Sequence, residues 1–375
     1  MSNSIIHDRY LVYMDKFERR TKRAQDLMHE RQIQTMILLP GVNMYYLTGF
    51  LEEPMERPLF AVFGVDRDPF FIAPAFYEEQ IKESTWIKDI RLWQETQDPY
   101  NLFDSIKEGE GKVALDDRLW AMFSIPIQRI FKSREFVLAS LVSRDLRMRK
   151  SSEEIDLMRR AGQIADHALE SILDEVKAGA TEGALAAMLE YQMRSKGAEK
   201  PSFESIVASG PNSSMPHKRA SDKRLKKGEN VVFDFGCVYN GYCSDTTRTI
   251  FVGKPTDEMK KIYNIVLEAH ELAFRAVKPG AKAKDVDLAA REYITSQGYG
   301  PHFTHRTGHG VGLDVHEEPY ITRENDQQLE EGMTFSVVPG IYLPGKFGVR
   351  IEDIVAVTSS GATRLNKFTK EIVVV

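Results

Sequence analysis

Cysteine is scarce. Cys237 and Cys243 are the only two in 375 residues, which excludes a disulfide framework and suits a reducing compartment. Neither charge sign dominates: 50 Lys and Arg stand against 55 Asp and Glu, a net charge of −5, which leaves no basic footprint for nucleic acid. Basic runs such as Lys223-Arg224-Leu225-Lys226-Lys227 read as solvated faces. No apolar run is long enough to cross a membrane, and the start, Met1-Ser2-Asn3-Ser4-Ile5-Ile6-His7-Asp8, lacks a signal-peptide pattern. These absences give the expectation of a cytoplasmic protein with no nucleic-acid or membrane partner.

What is present is ordinary in bulk. Hydrophobic residues make up 42% and charged residues 28%, the balance of a soluble globular protein. The length exceeds one ordinary core, so two domains are expected, 1–147 and 148–375. In the first, Phe17 to Arg31 reads as an amphipathic helix and Thr35 to Leu39 as a buried strand ending at Pro40-Gly41. Leu59 to Val65 and Pro69 to Ala73 read as a hairpin turned by Asp66-Arg67-Asp68, and Lys112 to Asp116 and Glu135 to Leu138 add strands. Strands alternating with helices predict an α/β domain. It holds no catalytic cluster. Just past the boundary, Ser151-Ser152-Glu153-Glu154 is a capping box, opening an apolar helical stripe that runs to Val176.

The second domain repeats itself. Val176-Lys177-Ala178-Gly179-Ala180 returns 101 residues later as Val277-Lys278-Pro279-Gly280-Ala281, and Ser195-Lys196-Gly197 as Ser296-Gln297-Gly298. Leu225 to Asp234 returns 104 residues later as Leu329 to Val338. Each half reads helix, Gly turn, helix, loop, strand pair. Two copies packed about a pseudo-twofold axis make Asp234 and Val338 symmetry mates.

Chemistry concentrates in that domain. Phe233 to Asp245 reads as a β-hairpin closed by Asn240-Gly241, a type I′ turn signal because both central positions need φ > 0. Counting back pairs Tyr239 with Tyr242 and Gly236 with Asp245. Asp234 therefore shares a face with Asp245, as diagonal neighbours roughly 7–8 Å apart. Two acids on one face of an apolar strand pair repel unless a cation sits between them. The same register puts Cys237 and Cys243 on opposite faces. His305, His309 and His316, three of the nine histidines, lie within one Gly-rich stretch; neutral imidazole suits divalent metal and proton transfer. His217 stands alone in a loop. Phe347 to Val355 reads as an alternating strand with Arg350 and Glu352 on one face, Ile351 and Asp353 on the other.

Several strings together resemble the Xaa-Pro dipeptidase (prolidase) and aminopeptidase P branch of the pita-bread metallopeptidases, family M24. They are Tyr45-Tyr46-Leu47-Thr48-Gly49-Phe50, Asp234-Phe235-Gly236, Ser244-Asp245-Thr246-Thr247-Arg248-Thr249, His305 to His316, and Pro339-Gly340-Ile341-Tyr342 leading to Glu352-Asp353. The resemblance runs nearly end to end. It implies an α/β creatinase-like N-terminal domain and an α+β pita-bread catalytic domain with an internal pseudo-twofold repeat. It makes Asp234, Asp245, His309 and Glu352 metal ligands. It makes His217, His305 and His316 catalytic, handling protons and the tetrahedral intermediate, with His305 and Arg350 toward substrate. It implies a homodimer that hydrolyses small proline-containing peptides with manganese, cobalt or zinc; all-O/N donors suit such ions.

One position departs. Those relatives carry a glutamate before Pro-Gly, where this chain has Val338. That glutamate ligates the metal shared with Asp245, His309 and Glu352 and takes the proton from the attacking water. The position formed by Asp234, Asp245 and Glu352 stays complete, the other is short of one ligand, and the usual base is missing. The leading expectation is an Xaa-Pro metallopeptidase weakened at one metal position. The alternatives are a creatinase-like hydrolase of non-peptides, using histidines with one metal or none, and a non-catalytic peptide-binding protein on the same fold.

Overall fold

The computed structural model describes residues 2–375, with side chains from Asp15 onward. The chain divides into two units, Met1–Arg147 and Met148–Val375.

The first unit runs α1 (Ser2–Glu30), β1 (Ile33–Leu38), α2 (Val42–Thr48), β2 (Phe60–Gly64), β3 (Arg67–Pro74), α3 (Glu78–Ser84), β4 (Asp89–Trp93), β5 (Lys112–Leu115), α4 (Ala121–Ile130), β6 (Phe136–Leu138) and α5 (Ser140–Arg147). Its mixed six-stranded sheet has the order β4-β3-β2-β1-β5-β6. The hairpin β2–β3 is antiparallel as its turn residues require, while β1–β5 and β5–β6 are parallel and need crossovers. Aromatic and β-branched residues such as Phe60, Ile72, Val113 and Phe123 fill one core. The strand β4 and the helices α2 to α5 are not among the elements expected from the sequence.

The second unit holds the repeat. The first half has α6 (Ser152–Glu170), α7 (Glu182–Ser195), β7 (Lys200–Pro201), β8 (Ile206–Ser209), β9 (Asn230–Phe235), β10 (Cys237–Tyr239), β11 (Tyr242–Cys243) and β12 (Thr246–Phe251). The second has α8 (Asp257–Ala276), α9 (Ala283–Ser296), β13 (Gly308–Gly310), β14 (Glu317–Ile321), β15 (Thr334–Val337), β16 (Gly340–Leu343), β17 (Phe347–Arg350), β18 (Asp353–Val357), β19 (Ala362–Arg364) and β20 (Val373–Val374). The capping box opens α6: Glu154 N–H donates to Ser151 Oγ at 3.3 Å and Glu154 Oε2 accepts from Ser151 N–H at 2.8 Å. The helix stops at Glu170 rather than Val176, the remainder being a single tight turn at Leu173–Glu175.

Backbone bonds repeat with the sequence. Gly179 N–H to Leu225 O (2.9 Å) is matched by Gly280 N–H to Leu329 O (2.8 Å), and Gly228 N–H to Val252 O (2.6 Å) by Gly332 N–H to Val357 O (3.0 Å). Each half packs its helix pair on its own sheet. In the first, Ala161, Leu185 and Leu189 meet Val207, Val231 and Phe233. In the second, Val266, Val286 and Ala290 meet Phe335, Val349 and Val355.

Asn240 and Gly241 take φ of 47° and 81°, and Tyr239 pairs with Tyr242. The register carries through to Thr246↔Phe235 and Thr247↔Asp234. The ribbon nevertheless changes sheets at Gly236, which cannot be larger: a Cβ there would lie 1.9 Å from Ser244 O. Phe347 to Val355, expected as one strand, likewise breaks. β17 pairs with β16 and β18 with β15. At the break Ile351 N–H turns to Pro339 O (3.4 Å) and Glu352 N–H to Thr247 O (3.1 Å). Asp245 and Glu352 thus each sit where a strand changes partners.

Candidate active site

Those two changeovers bring the acids together. Asp245, His309 and Glu352 each offer a donor atom within 4.8 Å of the others, and all three are buried. Asp234 lies beside them on β9, where Arg350 Nη2 meets its Oδ2 at 2.6 Å. Its other oxygen, like Asp245 Oδ1, is buried without a hydrogen-bond partner. Burial first, then the neighbouring Glu352 and Asp234 carboxylates, push the Asp245 carboxyl well above the usual range. Burial and Asp234 push Glu352 up to about 8. Such a cluster is short of positive charge.

His309 is oriented for a cation. Its Nδ1 lies 3.2 Å from Gly310 O, and a carbonyl only accepts, so Nδ1 carries the proton. Nε2 is left with its lone pair, 3.7 Å from Asp245 Oδ2. Burial, then His316 beside it, holds His309 down to about 3, so the ring is neutral, the form that binds metal. Orphaned carboxylate oxygens and a neutral imidazole fit a divalent ion of borderline or hard character.

The remaining histidines separate by environment. His305 Nδ1 donates to Arg306 O (2.8 Å), which makes Nε2 the acceptor for the Tyr342 hydroxyl at 2.7 Å. Burial keeps His305 down at about 4. His316, its ring 4.2 Å from that of His309, is open to solvent, as is His217. Burial, and next Arg306, lowers the His316 pKa.

Arg350 is buried, and its donors reach Thr247 Oγ1 (3.2 Å), Pro216 O (3.0 Å), the Tyr342 hydroxyl (3.1 Å) and Asp234. It braces Asp234 and Tyr342. Glu352 is held by Thr247 Oγ1, which donates to its Oε2 at 2.7 Å. The compact donor set is that of the His309 position, which gathers three donors. Asp234 pairs with Arg350 beside it. Val338 lies at the end of β15, 8% exposed, its N–H bound to Thr307 O at 2.7 Å.

Sequence reasoning passed over Tyr342 and Thr247. Tyr342 has a legible signal, since hairpin pairing sets it across from Gly348, two residues before Arg350. Thr247 has none, because its partner comes from the other half of the repeat. On the far face of β18, Asp353 is fully buried and paired with Arg248 Nη2 at 2.7 Å. Arg248 also donates to Glu352 O (2.6 Å) and Thr247 O (2.9 Å), pinning the backbone of both site strands. The two cysteines are buried free thiols.

A duplicated α+β unit built around buried acids and a metal-ready histidine defines a metallopeptidase-type centre, and the comparisons name the class. Residues 156–359 match metallopeptidase family M24 and residues 20–149 match the creatinase/prolidase N-terminal domain, so the chain belongs to the M24 family. Among its relatives, an Xaa-Pro dipeptidase of Pyrococcus horikoshii is 37% identical, over 96% of this chain and all of its own length. The crystal structure of a prolidase from Thermococcus sibiricus superposes with a TM-score of 0.92 at 39% identity, covering 96% of this chain and 99% of that one. An X-Pro aminopeptidase from Thermotoga maritima does so with a TM-score of 0.84 at 35% identity, covering 95% and 99%.

Proposed function

We propose that the chain hydrolyses Xaa-Pro bonds in short peptides with a divalent cation, manganese before cobalt or zinc, as a cytoplasmic homodimer. The observation that carries the reading is the buried triad Asp245, His309 and Glu352, each offering a donor atom within 4.8 Å of the others. A divalent ion bound there polarises a carbonyl oxygen and lowers the pKa of water.

The chain's own groups do the rest. Asp245, His309 and Glu352 would hold the ion, with Asp234, whose Oδ1 is buried and unpaired, as a fourth donor. Thr247 fixes the Glu352 carboxylate. Arg350 pairs with Asp234 and, through the Tyr342 hydroxyl, braces the neutral His305 ring. His217 and His316, open to solvent, are the groups that exchange protons with substrate. Val338 removes a carboxylate from the set, so proton removal falls to a histidine and turnover is slow.

The test is hydrolysis of Xaa-Pro and Xaa-Ala dipeptides by the purified protein with and without added manganese. Manganese-dependent cleavage confined to the proline peptides is expected. Equal cleavage of both peptides, or none of either, overturns the reading.

A further inference from the structure

Glu182 opens α7 with no exposed surface. Its Oε1 accepts from Ser209 N–H (2.7 Å), Ser209 Oγ (2.8 Å) and Asn212 Nδ2 (3.1 Å); its Oε2 accepts from Asn212 Nδ2 (3.0 Å) and Ser221 Oγ (2.6 Å). Lys223 Nζ supplies positive charge one hydroxyl away, at 2.7 Å from Ser209 Oγ. These partners lie at the two ends of one strap, residues 209–221. Its crest is held from the other side, where Arg350 donates to Pro216 O. His217 is the next residue. A single buried carboxylate therefore ties both feet of the segment that carries an exposed histidine.

The repeat provides a comparison within the same molecule. Glu182 N–H to Lys223 O (3.1 Å) and Gly183 N–H to Ser221 O (2.8 Å) recur as Ala283 N–H to Gln327 O (2.9 Å) and Lys284 N–H to Asn325 O (2.9 Å). The second loop end is seated by the same backbone bonds with alanine in place of the glutamate. Seating the loop does not require the carboxylate. The second half has its own buried acid one turn later: Asp287 Oδ1 accepts from Thr307 N–H (3.0 Å) and Thr307 Oγ1 (2.7 Å), two residues before His309. In each half, the second helix gives a buried acid to the loop that bears a site histidine.

We infer that Glu182 is a positioning residue: it closes the 209–221 strap and so fixes where His217 meets the substrate. The inference rests on the reading of His217 as an active-site group. The experiment compares Glu182→Gln and Ser221→Ala, each alone and combined with His217→Ala, in the full-length protein with manganese. It reads kcat and KM on an Xaa-Pro dipeptide, the thermal midpoint, and hydrogen exchange of the 209–221 peptide.

A displaced catalytic group typically costs on the order of tenfold to a hundredfold. Glu182→Gln should lower kcat by about tenfold or more, with KM little changed and faster exchange confined to the strap. Neither change should lower kcat further once His217 is gone. Equal losses with and without His217 mark a scaffold role and overturn the inference, as does an unchanged kcat in both single variants. Ser221→Ala removes the bond to Glu182 Oε2 and the weaker one from Lys223 N–H (3.3 Å) while leaving the carboxylate and its other partners, and it carries the comparison if Glu182→Gln does not fold. A wild-type protein that cleaves no Xaa-Pro peptide refutes the proposed function instead. In that case strap exchange alone decides the tether: unchanged exchange in the variants overturns it.

Discussion

Val338→Glu adds a carboxylate to a pocket that already holds three. Val338 is 8% exposed and fixed by its backbone bond to Thr307 O, so the new side chain enters at a set position. Without metal the change is unfavourable. Glu352 is already pushed up to about 8 by burial and Asp234, and each unit of such a shift corresponds to about 1.4 kcal/mol. A further acid in the same space should cost on the order of 2–4 kcal/mol in the metal-free protein, lowering the thermal midpoint by about 5–10 °C. Manganese reverses the sign. The added group completes the His309 position, so saturating manganese should raise the midpoint more in the variant than in the wild type. The ion at Asp245, His309 and Glu352 would gain a donor, so manganese should bind more tightly in the variant. Cleavage of Xaa-Pro dipeptides should increase by about 10²–10⁴-fold, the usual contribution of a positioned base. Scanning calorimetry, metal analysis after gel filtration, and a proline-release assay cover the three readouts. An unchanged manganese affinity together with unchanged turnover would refute the reasoning, because it would mean that Val338 does not border the reacting atoms.

Three further outcomes are expected. Arg350→Met leaves Asp234 buried without its counter-charge and should cost about 3–5 kcal/mol in denaturant unfolding; a loss under about 1 kcal/mol means Asp234 is satisfied by other groups. His305 is held at about 4, below its ordinary 6.5. The unfolded chain therefore takes up that proton first as pH falls. Stability present above pH 6.5 should be lost by about 1–3 kcal/mol between pH 6.5 and 4, and His305→Asn should remove that share of the slope; parallel wild-type and variant curves refute it. Gly236→Ala drives a methyl into Ser244 O and should cost about 1–3 kcal/mol, with weaker metal binding measured by titration; a neutral substitution shows that the changeover can relax.

The catalytic unit was legible because its signals are local. Asn240-Gly241 fixes a turn, the turn fixes a register, and the register sets Asp234 diagonal to Asp245. The Gly179/Gly280 and Gly228/Gly332 pairs mark the same turns twice, so the repeat can be read without a structure. Contacts between the halves were not legible. Thr247 to Glu352, Arg248 to Glu352 O and Arg350 to Pro216 O join residues roughly a hundred or more apart in sequence, and no spacing rule links them. The Arg350–Asp234 pair is of the same kind. Alternation places Arg350 on the Glu352 face, but only the packed structure shows Asp234 nearer. In the first unit, strands with continuous apolar runs stood out, whereas β4, whose pattern is half-exposed, and the short helices between strands did not.

The partner change at Glu352 makes the metal centre a seam. Asp234 and Asp245 belong to the first half, His309 and Glu352 to the second, and the stitches across include a backbone bond from Glu352 to Thr247 with the Thr247 hydroxyl beside it. Neither half alone can assemble the three-donor set. Cation binding is therefore a reporter of the closure of one half on the other. If the chain is cut in the link between β12 and α8 at Gly253-Lys254-Pro255, each fragment should be blind to manganese, and the mixture should regain its affinity only as the two fragments reunite.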